Sequence, residues 1–540
     1  MVVKKVPQKA SKSKNTKISS STNLNTPTVE PLDRQIDEVI VIGSRARISN
    51  NNKKNNGEFR GDFTRDTFDS KNRFSRVLMQ QGRVQLDADW NELNSIMLHQ
   101  LRNLACDIGS EHWGPKNNSG FGIPNRSETS HDFRISPGHY YVNGIFCEIG
   151  LNENNDLITY ETQPDFPLPD NQTVAELTKI FEASDGDLRA LIYLDVWERH
   201  VNYIGDDTIR EVALGGPDTA TRSKTIAQVK VFPVPSDYVN WNNEGNHPLK
   251  ESYERFLRVI STVMSPGLGT MCAKVKDKSK ATDPCITAPE SRYRGAENQF
   301  YRVEIHNSGV AGMTATYKWS RENSSVIFPI LDIQDNKISL EHLGKDCRYG
   351  LNANDWVEIV DDDSVLQNRA DNLLQVQSID TENRTVTLKE SPEKITSFAE
   401  SKHPYLRRWD HVDGDNRGLK LIETQSGQSW LELEDGILIK FDSGGKVEDK
   451  YEHDNNYARR ELPEHDMYRT GDYWLIPART VTGNIEWPQD SDGKPEFVNP
   501  HGIVHHYAPL ALLDAGTDND ANGEGIDVDV DLRRVLKQLW

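Results

Sequence analysis

The chain has 540 residues, 36% of them apolar and 27% charged, and a formal net charge of −20. This length is too great for one compact core and predicts about two to four domains of roughly 100–200 residues each. The acidic balance argues against binding duplex DNA or an anionic membrane surface. No run approaches the ~20 apolar residues of a membrane helix, and the Lys-rich opening lacks the apolar stretch of a secretory signal.

Residues 1–58 stand apart in texture. Lys4, Lys5, Lys9, Lys12, Lys14 and Lys17 lie among Ser, Thr and Asn, and a second polar run surrounds Lys53 and Lys54. Such composition buries too little apolar surface to offset ordering entropy, so a disordered basic tail is expected. Inside it Val39, Ile40, Val41 and Ile42 form a β-branched run closed by Gly43. A strand that docks on a partner's sheet edge and a strand folded back on its own domain explain this run equally well.

The folded part opens at Phe59. Trp90, Leu93, Met97, Leu101, Leu104 and Ile108 recur at spacings of three and four, which predicts a helix burying one face. Asp89 with Glu92 supplies a capping-box-like start and Gly109 a stop. Strands are expected at 133–135, 139–148 and 188–197, the last apolar enough to be central in its sheet.

A second helix is expected over 249–264, where Tyr253, Phe256, Leu257, Ile260, Val263 and Met264 make one stripe before Pro266 and Gly267. Beyond it Tyr301, Val303 and Ile305 alternate with Arg302, Glu304 and His306, and residues 314–320 continue the pattern past Gly309 and Gly312 as a hairpin would. The short segments 355–360, 373–379 and 384–388 suggest a small antiparallel barrel of SH3-like or OB-like size. Strands at 430–433, 436–441, 472–477 and 502–513 follow, then a short helix over 532–540. The predicted class is mainly β with a few helices, a β-rich α+β protein. Its modules are expected at 59–160, 161–330, 331–400 and 401–513, with an acidic linker and helix over 514–540.

Paired carboxylates suited to acid/base work occur at Asp87 with Asp89 and at Asp195 with Glu198, near Trp90 and Trp197. Helix capping and strand packing explain them better than catalysis does, so no catalytic residue is assigned and the chain is expected not to be an enzyme. His505 and His506 are adjacent and point to opposite faces of a strand, so they do not chelate together. The block from Arg210 to Arg222, around Gly215, Gly216 and Pro217, reads as a buried or interfacial loop with ion-pairing arginines. It lacks the ending of a phosphate-binding loop. The hydroxyls of Ser320, Ser324 and Ser325 lack the glycines of a nucleophile elbow.

Asp518, Asp520, Asn522, Glu524 and Asp529 approach the spacing of a calcium loop, with Gly523 at its sixth position. The apolar residue comes one place late at Ile526 and no helix precedes, so a solvated acidic linker is the simpler reading and no cofactor is assigned. Five sparse cysteines do not form a disulfide framework, although Cys272 and Cys285 flank a polar loop and are the pair to watch in an oxidising medium. Eleven tryptophans suit either domain interfaces or a glycan-stacking surface.

One long block, Gly61-Asp-Phe-Thr-Arg-Asp-Thr-Phe-Asp69 followed by Phe74-Ser-Arg-Val-Leu-Met-Gln-Gln-Gly-Arg-Val-Gln-Leu-Asp-Ala-Asp-Trp-Asn-Glu92, carries a family likeness. It resembles the opening of a family of bacterial proteins of unassigned chemistry, often encoded beside tail-sheath, tube and baseplate components of contractile injection systems. Further matching blocks are Tyr193-Leu-Asp-Val-Trp-Glu-Arg-His200, the Arg210 to Arg222 block, Tyr317-Lys-Trp-Ser-Arg321, Gly471-Asp-Tyr-Trp-Leu-Ile-Pro-Ala-Arg479 and His505-His-Tyr-Ala-Pro-Leu510.

The resemblance implies a non-enzymatic structural or adapter component of a phage-tail-like contractile injection particle. Its partners would be baseplate, tube, sheath or cap proteins, with a homo-oligomer as a further expectation. Assembly would occur in a bacterial cytoplasm, within a particle that is later released or membrane-associated. Two other readings stay open: a trimeric receptor- or glycan-binding tail appendage, and a cell-wall glycosidase carried on the particle.

Overall fold

The computed structural model describes residues 59–124, 132–167, 188–235, 256, 260, 267, 269–276, 292–346, 348–423, 430–443, 467–515 and 526–536. The run Val39, Ile40, Val41 and Ile42 lies outside the described residues, as does most of 249–264. The architecture is mainly β, arranged in several sheets.

Two four-stranded sheets face each other around the first core. One orders strands Val535–Leu536, His112–Pro115, Gly138–Val142 and Ile145–Ile149; the other orders Ile526–Asp531, His506–Ala515, Leu188–Val201 and Arg222–Pro235. Tyr140, Val142, Ile145 and Cys147 from the first meet Ile192, Leu194, Val196 and Leu510 from the second. Strand Leu188–Val201 is buried on both faces, since Leu191 and Tyr193 pack on Phe256 and Ile260, the two described residues of the expected second helix, both helical. Residues 506–536 thus return to the module opened by residues 112–149, and strand Val535–Leu536, parallel to His112–Pro115, stands where a helix over 532–540 was expected. A parallel neighbour and the Arg534 amide donating to Tyr140 Oη fix that end in extended form.

The Gly138–Val142 and Ile145–Ile149 strands are joined by Asn143 and Gly144, with φ of 47° and 75°. Both lie in the left-handed region that a two-residue hairpin turn of primed type demands. A Cβ on Gly144 would lie 2.3 Å from the Arg102 carbonyl oxygen, well inside van der Waals contact, so this turn also seats the long helix.

The second core lies between a five-stranded sheet and a three-stranded one. The former orders Leu419–Lys420, Thr316–Ser320, Gln299–Ile305, Tyr473–Arg479 and Asn484–Ile485; the latter Leu431–Glu432, Ile437–Asp442 and Thr270–Val275. Tyr301, Val303, Ile305, Tyr317 and Trp319 turn into this core against Ile437, Ile439 and Phe441.

Six strands close into a barrel in the order Ile327–Gln334, Lys337–Leu340, Thr385–Leu388, Leu374–Asp380, Trp356–Val360 and Tyr405–Trp409. The last pairs with the first, and Phe328, Ile338, Val357, Val376, Val386 and Leu406 fill the interior. Every strand neighbour is paired, which removes the sheet edges of this unit.

Candidate interaction surface

The helix Asp87–Gly109 is held to the first module by its small and polar side. Ala88 and Ile96 are buried, Arg102 pairs with Glu198 at 2.9 Å, and Trp113 Nε1 donates to the Ala105 carbonyl at 3.2 Å. Glu92 accepts from Thr67 Oγ1 at 2.5 Å, and Asp87 accepts from Thr64 N and Oγ1 at 2.9 and 2.6 Å. Burial works against the Asp87 charge, but the Thr64 bonds outweigh it and hold the carboxyl below its usual range.

The expected apolar stripe is therefore not the buried one. Trp90, Met97, Leu101, Leu104 and Ile108 face solvent, with exposures between 56% at Leu104 and 69% at Trp90. The hydrogen bonds and ion pair of the opposite face anchor the helix without them. Trp90, Met97 and Leu104 are seven apart, as are Leu101 and Ile108, so the exposed residues form one seam along the helix. Between Trp90 and Ile108, Asp107 is the one charged residue among the exposed positions. Residues 73–86, which lead into the helix without a regular strand, add exposed Phe74, Leu78, Met79, Val84 and Leu86. An exposed apolar seam of this kind along one helix marks a place where something else packs.

The start of this helix also corrects the expectation. It begins at Asp87, and Asp89 sits at its third position, accepting from the Leu86 amide at 3.4 Å, so Asp89 is the returning half of a cap and not its first residue.

The second carboxylate pair is divided. Asp195 is buried and takes His505 Nδ1 at 2.7 Å and Lys230 Nζ at 2.6 Å. Burial opposes its charge, yet His505 and Lys230 keep the carboxyl well below the ordinary range. Glu198, three residues along the same strand, bonds Arg102 and, at 3.2 Å, Ser223 Oγ. An odd spacing on a strand sends the two carboxylates to opposite faces, so they do not flank a common substrate. The two histidines separate as well: His505 lies on the Trp197 ring at 5.6 Å, whereas half-buried His506 meets Asn143 Nδ2 at 2.8 Å.

The Arg210 to Arg222 loop is an exposed one, contrary to the buried reading. Val212 and Leu214 face solvent, and Arg210 spans Asp207 at 2.9 Å and Glu341 at 3.5 Å. Ser320 Oγ accepts from the Glu322 and Ser324 amides and shapes a turn. Cys272 is a buried free thiol, and Cys285 lies outside the described residues. Asp518, Asp520, Asn522 and Glu524 also lie outside them, while Asp529 falls in strand Ile526–Asp531. Among the described tryptophans, Trp197, Trp319, Trp356, Trp409 and Trp474 are buried, Trp113, Trp430 and Trp487 are half-buried, and Trp90 is exposed.

What the residue patterns missed is a buried ionic layer. The alternation at 301–306 marks Arg302, Glu304 and His306 as the second face of strand Gln299–Ile305, and the outer wall of the barrel covers that face. Glu304 accepts from Arg302 Nε at 2.6 Å and from Arg60 Nη2 at 3.0 Å; Lys318 Nζ reaches Glu358 Oε2 at 2.8 Å. Burial raises the Glu304 carboxyl, but Arg60, Arg302 and Lys318 outweigh it and hold it far below its usual range. Arg60 stands beside Gly61 at the head of the long family-like block, so the block's opening residues bind the second module while its end forms the exposed helix.

No curated protein and no solved structure matches the chain. A family model described as a family of unknown function, DUF6519, matches residues 59–237 and 239–522, nearly the whole of the folded part, and the chain belongs to that family.

Proposed function

We propose that the protein is a non-enzymatic structural or adapter component of a phage-tail-like contractile injection particle, joined to other particle proteins through the exposed face of helix Asp87–Gly109 and the apolar segment before it. The observation that carries this reading is the uncovered seam of Trp90, Met97, Leu101, Leu104 and Ile108 on an otherwise acidic chain. A seam with almost no charge suits an apolar helix or groove on the partner, with Trp90 as the anchor residue. The particle setting rests on the resemblance of the Gly61 to Glu92 block, which leads into the helix and supplies Trp90, the first residue of the seam. Val39, Ile40, Val41 and Ile42, in the basic tail, would act as a second attachment that raises local concentration. Purified particles from cells making a Met97→Glu, Leu101→Glu variant test this: loss of the protein from the particle supports the reading, and undiminished incorporation refutes it.

A further inference from the structure

Between the barrel and the five-stranded sheet lies a cavity of about 70 Å³, lined in part by Arg60, Lys318, Glu358, Arg407 and Thr470. We propose that this cavity binds a small oxyanion, a phosphate or carboxylate group, with Arg407 as its principal ligand.

The charge balance of the layer motivates this. Among the described residues Arg60 and Arg302 pair with Glu304 and Lys318 pairs with Glu358, which leaves Arg407 without an ion pair. His306 adds no further cation, because burial first and the Lys318 charge second lower its imidazole to about 3 and keep it neutral. Glu304 is occupied by Arg60 and Arg302, and Glu358 by Lys318 and by Trp409 Nε1 at 3.0 Å.

Arg407 is the cation left over. It lies opposite Glu358 in the strand pairing and is 6% exposed, yet it has no ion pair among the described residues. Its Nη2 donates to Tyr405 Oη at 2.7 Å and its Nε has no hydrogen-bond partner. A buried guanidinium with a donor unused costs free energy that an anion in the cavity would recover, and the guanidinium fork matches a carboxylate or phosphate edge. The size sets the class: the cavity is far below the ~300 Å³ of a pocket for a drug-sized ligand and suits one small ion or one charged group of a larger molecule.

Calorimetric titration of the full chain with sodium phosphate and with sodium acetate, at ionic strength held constant with chloride, tests the site. Saturable one-to-one binding of either anion is expected, tighter for phosphate if the natural group is a phosphate and for acetate if it is a carboxylate. Arg407→Gln should weaken it by about tenfold or more and Arg407→Lys by less, because the charge stays and the fork is lost. The unfolding temperature of the wild-type chain should rise with the same anion over the matched chloride control, a readout that needs no variant. Absence of saturable binding and of that rise for both anions would overturn the proposal, as would binding that Arg407→Gln leaves intact.

Discussion

Lys318 of the five-stranded sheet donates to Glu358 of the barrel at 2.8 Å, with side chains 3% and 6% exposed, and the two modules are locked by this buried pair. Lys318 also lies over the Trp409 ring at 4.4 Å, so its ammonium is held from two sides. Removing one partner leaves the other charge buried. Lys318→Met and Glu358→Leu are each expected to cost about 3–5 kcal/mol, and the double variant less than the sum, because no lone charge remains. Denaturant midpoints of the four proteins measure this cycle.

Arg60 contributes to the same layer from the far end of the folded chain. Glu304 has its folded carboxyl depressed, so its stabilisation is complete above its unfolded value near 4.3 and fades as pH falls toward the folded one. Arg60→Ala raises that folded value. The variant should be less stable at neutral pH and should lose less further stability on acidification than the wild type, read as the slope of unfolding temperature against pH between about 5 and 3.

The desolvated histidines give the opposite end of the acid response. Burial lowers His306 to about 3 and His411, His112 and His506 to about 4. Each is neutral in the folded protein and binds a proton more readily once unfolded, at its ordinary value near 6.5. The unfolded state then holds more protons between about pH 6.5 and 4, and stability rises with pH across that window. The unfolding temperature is expected to fall as pH is taken from 7 to 5, and His306→Gln should reduce the drop if the variant stays folded at pH 7.

Gly144 couples the hairpin to the long helix. Its φ of 75° and its closeness to the Arg102 backbone both exclude a Cβ. Gly144→Ala should cost about 1–3 kcal/mol, more than the left-handed turn alone, and should be visible as a lower unfolding temperature.

Much of the β architecture was legible because the strands alternate or run apolar. Strand Leu188–Val201 reads as central and is central; Tyr301, Val303 and Ile305 read as one face and fill a core. Periodicity could not say which side of a face would be covered. The Trp90 to Ile108 stripe has the spacing of a buried helix face, but Ile96, Arg102 and Glu92 on the other side make the attachments. The ionic layer was hidden for a related reason. Arg302, Glu304 and His306 read only as the polar alternates of a hairpin strand, and only the pairing of distant segments sets Lys318, Glu358 and Arg407 beside them. The strand at Val535–Leu536 likewise depends on His112–Pro115, more than four hundred residues earlier, which no local pattern encodes.

The most direct test of the proposed assembly role is the particle content of a Met97→Glu, Leu101→Glu, Leu104→Glu variant. These side chains are exposed, so the isolated variant should keep the unfolding temperature of the wild type. Quantified by mass spectrometry of purified particles, it should be depleted by about tenfold or more relative to the wild type, since charges in an apolar interface core are poorly tolerated. A folded variant present at wild-type amounts in the particle would contradict the assignment of this helix as the attachment surface.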